Sequence, residues 1–133
     1  MTKAGARFDA FVPGPHVIEA YGAGGFRFAG MSHIGSILAT PKGIGAITPT
    51  TLAELDAAAF QRLFDELAAE PRSVEFVVIG AGPKIALTPP PVADLLRGKG
   101  LRFETMATGP ASRVYNIMVE ERRRVAALLL AAP

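Results

Sequence analysis

Three places in this sequence combine residue types and spacings that could do chemistry. The first is Gly80-Ala81-Gly82, which closes the apolar run Val74 to Ile79. Glycines after a strand let backbone approach a pyrophosphate, and Glu104, about 20 residues on, stands where a ribose-binding acid would. The match stops there. The third glycine position of G-x-G-x-x-G is Ile85, and Thr88 with Pro89-Pro90-Pro91 postpones any helix. Without a helix N-terminus at the turn, a pyrophosphate loses its main binding site. A tight turn leaving a parallel strand explains these glycines better. The second place is Ser32-His33. Neighbours on a strand point to opposite faces, so they cannot act as nucleophile and base. There is no G-x-S-x-G elbow and no H-E-x-x-H, and the chain has two histidines in all. His33 therefore reads as structural or interfacial, with no metal and no catalytic residue assigned.

The third place is Thr108-Gly109-Pro110-Ala111-Ser112-Arg113-Val114-Tyr115-Asn116. Arg113 and Asn116 are three apart on a helix and share a face. Ser112 and Asn116 are four apart. Near a helix N-terminus the free N–H groups and the dipole favour anions, and an arginine adds a charge and a donor fork. If the Val74 and Leu101 strands are parallel neighbours, the Gly80 and Thr108 turns open at one sheet edge, where open α/β sheets place ligands. Gly80, Gly82, Thr108, Ser112, Arg113 and Asn116 are the candidate pocket. The competing reading is structural: Arg113 satisfies loop carbonyls or pairs with Glu120, and Asn116 caps a neighbour.

Elements must position these groups. A chain of 133 residues, half of them hydrophobic, is expected to form one α/β domain. Residues 1–50 read as mostly β, and 51–133 as β/α units. With no cysteine, disulfides, zinc-thiolate sites and thiol nucleophiles are excluded. Net charge is +2 and only Arg122-Arg123-Arg124 clusters, so no nucleic acid is expected as partner. The N-terminus lacks the apolar core of a signal peptide, and no run approaches the ~18 apolar residues that span a bilayer. The expectation is a soluble, cytoplasmic chain that meets membranes only through partners.

Phe8 to Val12 reads as a strand broken by Pro13. Val17 to Tyr21 and Phe26 to Phe28 follow as strands, then Ser36 to Ala39 and Ile44 to Ile47. Thr51-Leu52-Ala53-Glu54 has capping-box spacing, and Leu52, Leu55, Ala59, Leu63 and Leu67 recur at helical spacing until Pro71. Thr88 is placed to cap a helix that ends at Gly98 or Gly100. Leu101 to Glu104 is a strand, and Thr108 opens a helix bearing Val114, Ile117 and Met118. Periodicity leaves Arg123 to Leu130 open between a helix and a buried central strand.

Tyr21-Gly22-Ala23-Gly24-Gly25-Phe26-Arg27-Phe28-Ala29-Gly30-Met31-Ser32-His33-Ile34-Gly35-Ser36, the Val78-Ile79-Gly80-Ala81-Gly82 turn, and Thr108 to Asn116 followed by Arg123-Arg124-Val125-Ala126-Ala127 resemble the domain-of-unknown-function family 498. That family includes the mitochondrial complex I assembly factor 3. The resemblance spans essentially the whole chain. It implies a three-layer α/β fold: a mixed, mostly parallel sheet of about five strands, helices on its faces, and a small extra N-terminal β layer. It also implies that Arg123 to Leu130 is a central strand inserted antiparallel. The function it implies is a non-enzymatic assembly or interaction factor for membrane-protein complexes such as respiratory complex I, with a protein partner and no cofactor. Tyr21, Phe26, Phe28, Met31 and His33 are the candidate partner contacts, since aromatics and methionine are enriched at interface cores. The alternatives are that these residues fill the core of the second layer, that the chain is a small-molecule or anion binder (or enzyme) at the Arg113 pocket, or that it is a homo-oligomer.

Overall fold

The computed structural model describes residues 11–133. Most of the proposed Phe8 to Val12 strand lies outside them. Nine strands follow in chain order. They are β1 (Val12–Pro13), β2 (Ala20–Gly22), β3 (Gly25–Phe28), β4 (Met31–Ile34), β5 (Ser36–Thr40), β6 (Gly43–Ile47), β7 (Phe76–Gly80), β8 (Arg102–Met106) and β9 (Val125–Leu129). The helices are α1 (Gln61–Ala69), α2 (Pro90–Gly98) and α3 (Thr108–Glu120).

The C-terminal run is a strand because both of its faces are buried. Ala126, Leu128 and Leu130 join one core with Leu63, Leu67 and Leu96 of α1 and α2. Val125, Ala127 and Leu129 join the other with Ala111, Tyr115 and Met118 of α3 and with Phe26 and Phe28 of β3. Side-chain alternation with period two lets one apolar run serve two cores. The result is three layers: helices α1 and α2, the main sheet, then α3 beside a small sheet ordered β2-β3-β4.

The main sheet has six strands rather than five, ordered β1-β6-β5-β9-β7-β8. Antiparallel pairs outnumber parallel ones in it. β1 with β6, β6 with β5 and β5 with β9 are antiparallel, while β9 with β7 and β7 with β8 are parallel. The reason is local. Pro41-Lys42 joins β5 to β6 as a tight hairpin, and a two-residue connection permits only antiparallel pairing. β9 is antiparallel to β5 and parallel to β7, so it joins the antiparallel and parallel parts of the sheet.

Four local expectations change. Pro13 does not break its strand. It sits on the outermost strand opposite Gly43, where a missing N–H costs no ladder bond. Met31–Ile34, outside the strands expected from the sequence, is a strand paired with β3. The stretch Leu52 to Leu67 is not one helix. Leu55 is extended, and Asp56 starts again by accepting a 3.0 Å hydrogen bond from the Ala58 amide, so two short 3₁₀ turns precede α1. The capping box at Thr51 and Glu54 is made, and the Glu54 carboxylate accepts from the Thr50 and Thr51 amides, which holds it below the usual carboxylate range. Thr88 does not cap α2, because Pro89 occupies that position and the Thr88 hydroxyl meets Thr105 Oγ1 at 2.7 Å.

Candidate functional site

The parallel register of β7 and β8 brings the Gly80 turn and the start of α3 together, at the sheet edge where the sequence pattern expects them. Thr108 knits that junction. Its hydroxyl accepts from the Gly82 amide at 2.8 Å and donates to the Leu130 carbonyl at 2.7 Å, while its own amide donates to the Gly82 carbonyl at 2.8 Å. Thr108 is fully buried, and a Cβ at Gly80 would press on it at 3.0 Å. Glycine at 80 is thus a packing requirement. Ser112 donates to the Thr108 carbonyl one turn back at 2.8 Å. Asn116 uses both ends of its amide on Ile18, accepting from its N–H at 2.7 Å and donating to its carbonyl at 2.8 Å. The side chain stands in for a strand partner where β2 has not yet begun.

Arg113 differs from the other five candidates. It is exposed and makes no ion pair among the described residues. It lines a groove of 530 Å³ between α3 and the β2 edge, with Tyr21, Ile117, Glu19 and Glu120. Tyr21 brings the hydroxyl end of its ring against Gly109, so a Cβ there would collide with its ring and hydroxyl. Tyr21 takes this position against α3 only because residue 109 has no side chain.

The small sheet sorts the candidate contact residues by its pleat. Tyr21 stands opposite Phe26 and Phe26 opposite His33, with Phe28 opposite Met31 two residues away. All five therefore share the face turned toward the main sheet and α3. Phe26, Phe28 and His33 are 3, 2 and 2% exposed. Phe28 and His33 have ring centroids 6.2 Å apart. These three are buried in the second layer. Met31 is half-buried, and Tyr21, on the edge strand, is 52% exposed. The opposite face carries Arg27, which donates to Ser32 at 3.1 Å and pairs with Glu19 at 3.5 Å, and the half-exposed Ile34. A second depression, of 520 Å³, runs along it from Tyr21 to Ile34. Tyr21 thus stands between two surface depressions.

Sequence reading missed one polar cluster. Arg62 of α1 donates to Glu66 at 2.7 Å, to Thr40 Oγ1 at 3.0 Å, and to the Leu38 carbonyl, and its guanidinium stacks 4.6 Å from the Phe11 ring. Burial pushes its pKa down, and Glu66 opposes that shift. The available signal was the four-residue spacing of Arg62 and Glu66 beside the apolar stripe. Tyr115 was also unassigned. Its hydroxyl donates to the His16 carbonyl at 2.8 Å, and burial raises its pKa well above the ordinary phenol value.

With this geometry in view, relatives can be placed. The family described as Protein of unknown function (DUF498/DUF598) matches residues 18–130. The chain belongs to that family. An uncharacterised protein of Rhodobacter capsulatus is 35% identical over 116 residues, covering 87% of this chain and 85% of its own. A Xenopus tropicalis protein named NADH dehydrogenase [ubiquinone] 1 alpha subcomplex assembly factor 3 is 31% identical over 118 residues. That match covers 85% of this chain and 60% of the frog protein. The crystal structure of an outer membrane protein from Bartonella henselae superposes with a TM-score of 0.83 at 40% identity, covering 91% of this chain and 98% of that one. Among the described residues of the present chain, no helix is long and apolar enough to cross a membrane.

Proposed function

We propose that this protein is a non-enzymatic assembly factor that docks onto a membrane-protein complex, with respiratory complex I as the first to test. One observation carries this reading: likeness over 118 residues to an NADH dehydrogenase assembly factor. The mechanism is docking of a rigid body. The contact face we assign centres on Tyr21, flanked by Ile34 across one depression and Ile117 across the other, with Arg27 and Arg113 beside them. Tyrosine and arginine are the residue types that most often anchor interfaces. In this reading the chain works in the cytoplasm and reaches the membrane through its partner.

The test is purification of the tagged chain from its native cells after gentle crosslinking, with everything retained identified. Respiratory-chain or other inner-membrane subunits are expected. Tyr21→Ala should cut their recovery about tenfold, the effect of losing one central aromatic anchor. A wild-type chain that emerges alone and monomeric overturns the proposal.

One observation favours a second reading, a small-molecule or anion-binding protein, or an enzyme, at the groove beside Thr108, Arg113 and Asn116. Arg113 faces that groove without an ion pair among the described residues. Under this reading a small anion raises the melting temperature, and Arg113→Ala abolishes the shift without unfolding the protein. At 100 times the dissociation constant the shift corresponds to about 2.7 kcal/mol.

A further inference from the structure

We propose that the C-terminal end of α3 binds a small amphipathic anion, an aliphatic chain ending in a carboxylate or a phosphate. The end of α2 supplies the reference. There the Gly100 amide donates to the Arg97 carbonyl at 2.9 Å and the Leu101 amide to the Leu96 carbonyl at 3.0 Å, with Gly100 at φ 74°. This is the Schellman closure, whose left-handed residue is normally glycine. The end of α3 repeats it bond for bond. The Arg122 amide donates to the Val119 carbonyl at 2.9 Å and the Arg123 amide to the Met118 carbonyl at 2.9 Å, but the left-handed residue, at φ 60°, is Arg122. A Cβ in that region crowds the following carbonyl, so the chain carries strain that glycine would remove.

The Arg122 side chain returns no ion pair to the fold for that strain. Arg123 faces Glu121 at 3.9 Å and Arg124 faces Glu75 at 3.1 Å, whereas Arg122 has no side-chain partner among the described residues. Its neighbours form a cavity of 440 Å³ walled by Pro15, Pro41, Tyr115, Val119 and Val125. That volume lies in the range of small-ligand sites, roughly 300–1,000 Å³. Ser73 completes the wall, and its buried hydroxyl has no hydrogen-bond partner among the described residues. Apolar walls select a hydrocarbon body. An unpaired guanidinium at the mouth selects an anionic head, because charge-assisted bonds from arginine are strongest to carboxylate and phosphate. With Glu121 and Glu75 already paired, the mouth keeps one positive charge in excess.

The experiment titrates the full chain with octanoate and, separately, with octanol, following backbone amide NMR shifts. Octanoate should shift Ser73, Val119 and Val125 saturably, and at least tenfold more tightly than octanol, which lacks the charge. Arg122→Gln should weaken octanoate about tenfold and leave octanol unchanged. Arg122→Gly should weaken octanoate equally while raising the melting temperature of the unliganded protein, which separates the side chain's role from any role in folding. Sedimentation with phosphatidylglycerol vesicles identifies the source of the anion: vesicle binding lost in Arg122→Gln points to a lipid headgroup, and octanoate binding alone points to a free acid. Equal affinity for octanoate and octanol, an unchanged Arg122→Gln, or shifts confined to other surfaces would overturn the site.

Discussion

In the first three turns of α3, Thr108, Ser112 and Asn116 direct their polar atoms into backbone: Gly82 and Leu130, Thr108 itself, and Ile18. Just past its last turn, Arg122 directs its guanidinium to no group among the described residues. The N-terminal end resembles a ligand site in sequence, because hydroxyls, an amide and an arginine gather at a helix start. In the folded chain most of those groups already have partners. The C-terminal end reads as a solvated charge run, yet it combines a strained backbone, an unpaired charge and an apolar cavity. Polar residues at a suggestive spacing are therefore weaker evidence of a ligand than polar residues whose bonding capacity the fold has left unused.

Five substitutions test that contrast, and the largest effect belongs to Thr108. Thr108→Val keeps the shape but strands the Gly82 amide and the Leu130 carbonyl. Two buried groups without partners should cost about 3 kcal/mol, or on the order of 10 °C in melting temperature. Were the loss under 1 kcal/mol by denaturant titration, the N-terminal end would not be spent on structure, and the pocket there would regain its claim. Asn116→Ala should cost about 2 kcal/mol, since it removes both bonds to Ile18. Hydrogen exchange should then quicken first at Ile18 and β2, the segment that the amide holds.

The paired helix ends come next, and they should move in opposite directions. Gly100→Ala places a Cβ at φ 74° and should cost about 1 kcal/mol, whereas Arg122→Gly relieves φ 60° and should add about 0.5 kcal/mol. Thermal melts of the two variants side by side decide this, and a destabilised Arg122→Gly would mean that the side chain supports the fold after all. Smallest of all should be Arg113→Ala. An exposed residue with no ion pair among the described residues should change stability by less than ~0.5 kcal/mol, so any binding it alters can be read without a folding correction.

The sequence by itself determined the elements whose causes are local. The apolar run of β7, the helical stripe of α1, Pro71 as a stop and Gly100 as a C-terminal turn all follow from neighbours within a few residues, and so does the family pattern in Tyr21 to Ser36, whereas β9 could not be told from a helix by its periodicity. Errors cluster where two local signals competed. Asp56 restarted a helix that the leucine stripe would have carried through, and Pro89 displaced Thr88 as cap. Tertiary structure alone decided the rest. Whether Phe26 and Phe28 face a partner or a core depends on which side of the small sheet meets α3, and alternation cannot tell the two sides apart. Asn116 and Ile18 meet across 98 residues of chain, and Tyr21 rests on Gly109 across a similar gap. The cavity beside Arg122 needs Pro15, Pro41 and Ser73 from three separate loops. Such partners are chosen by how layers pack, and a periodicity of two or 3.6 residues carries no information at that range.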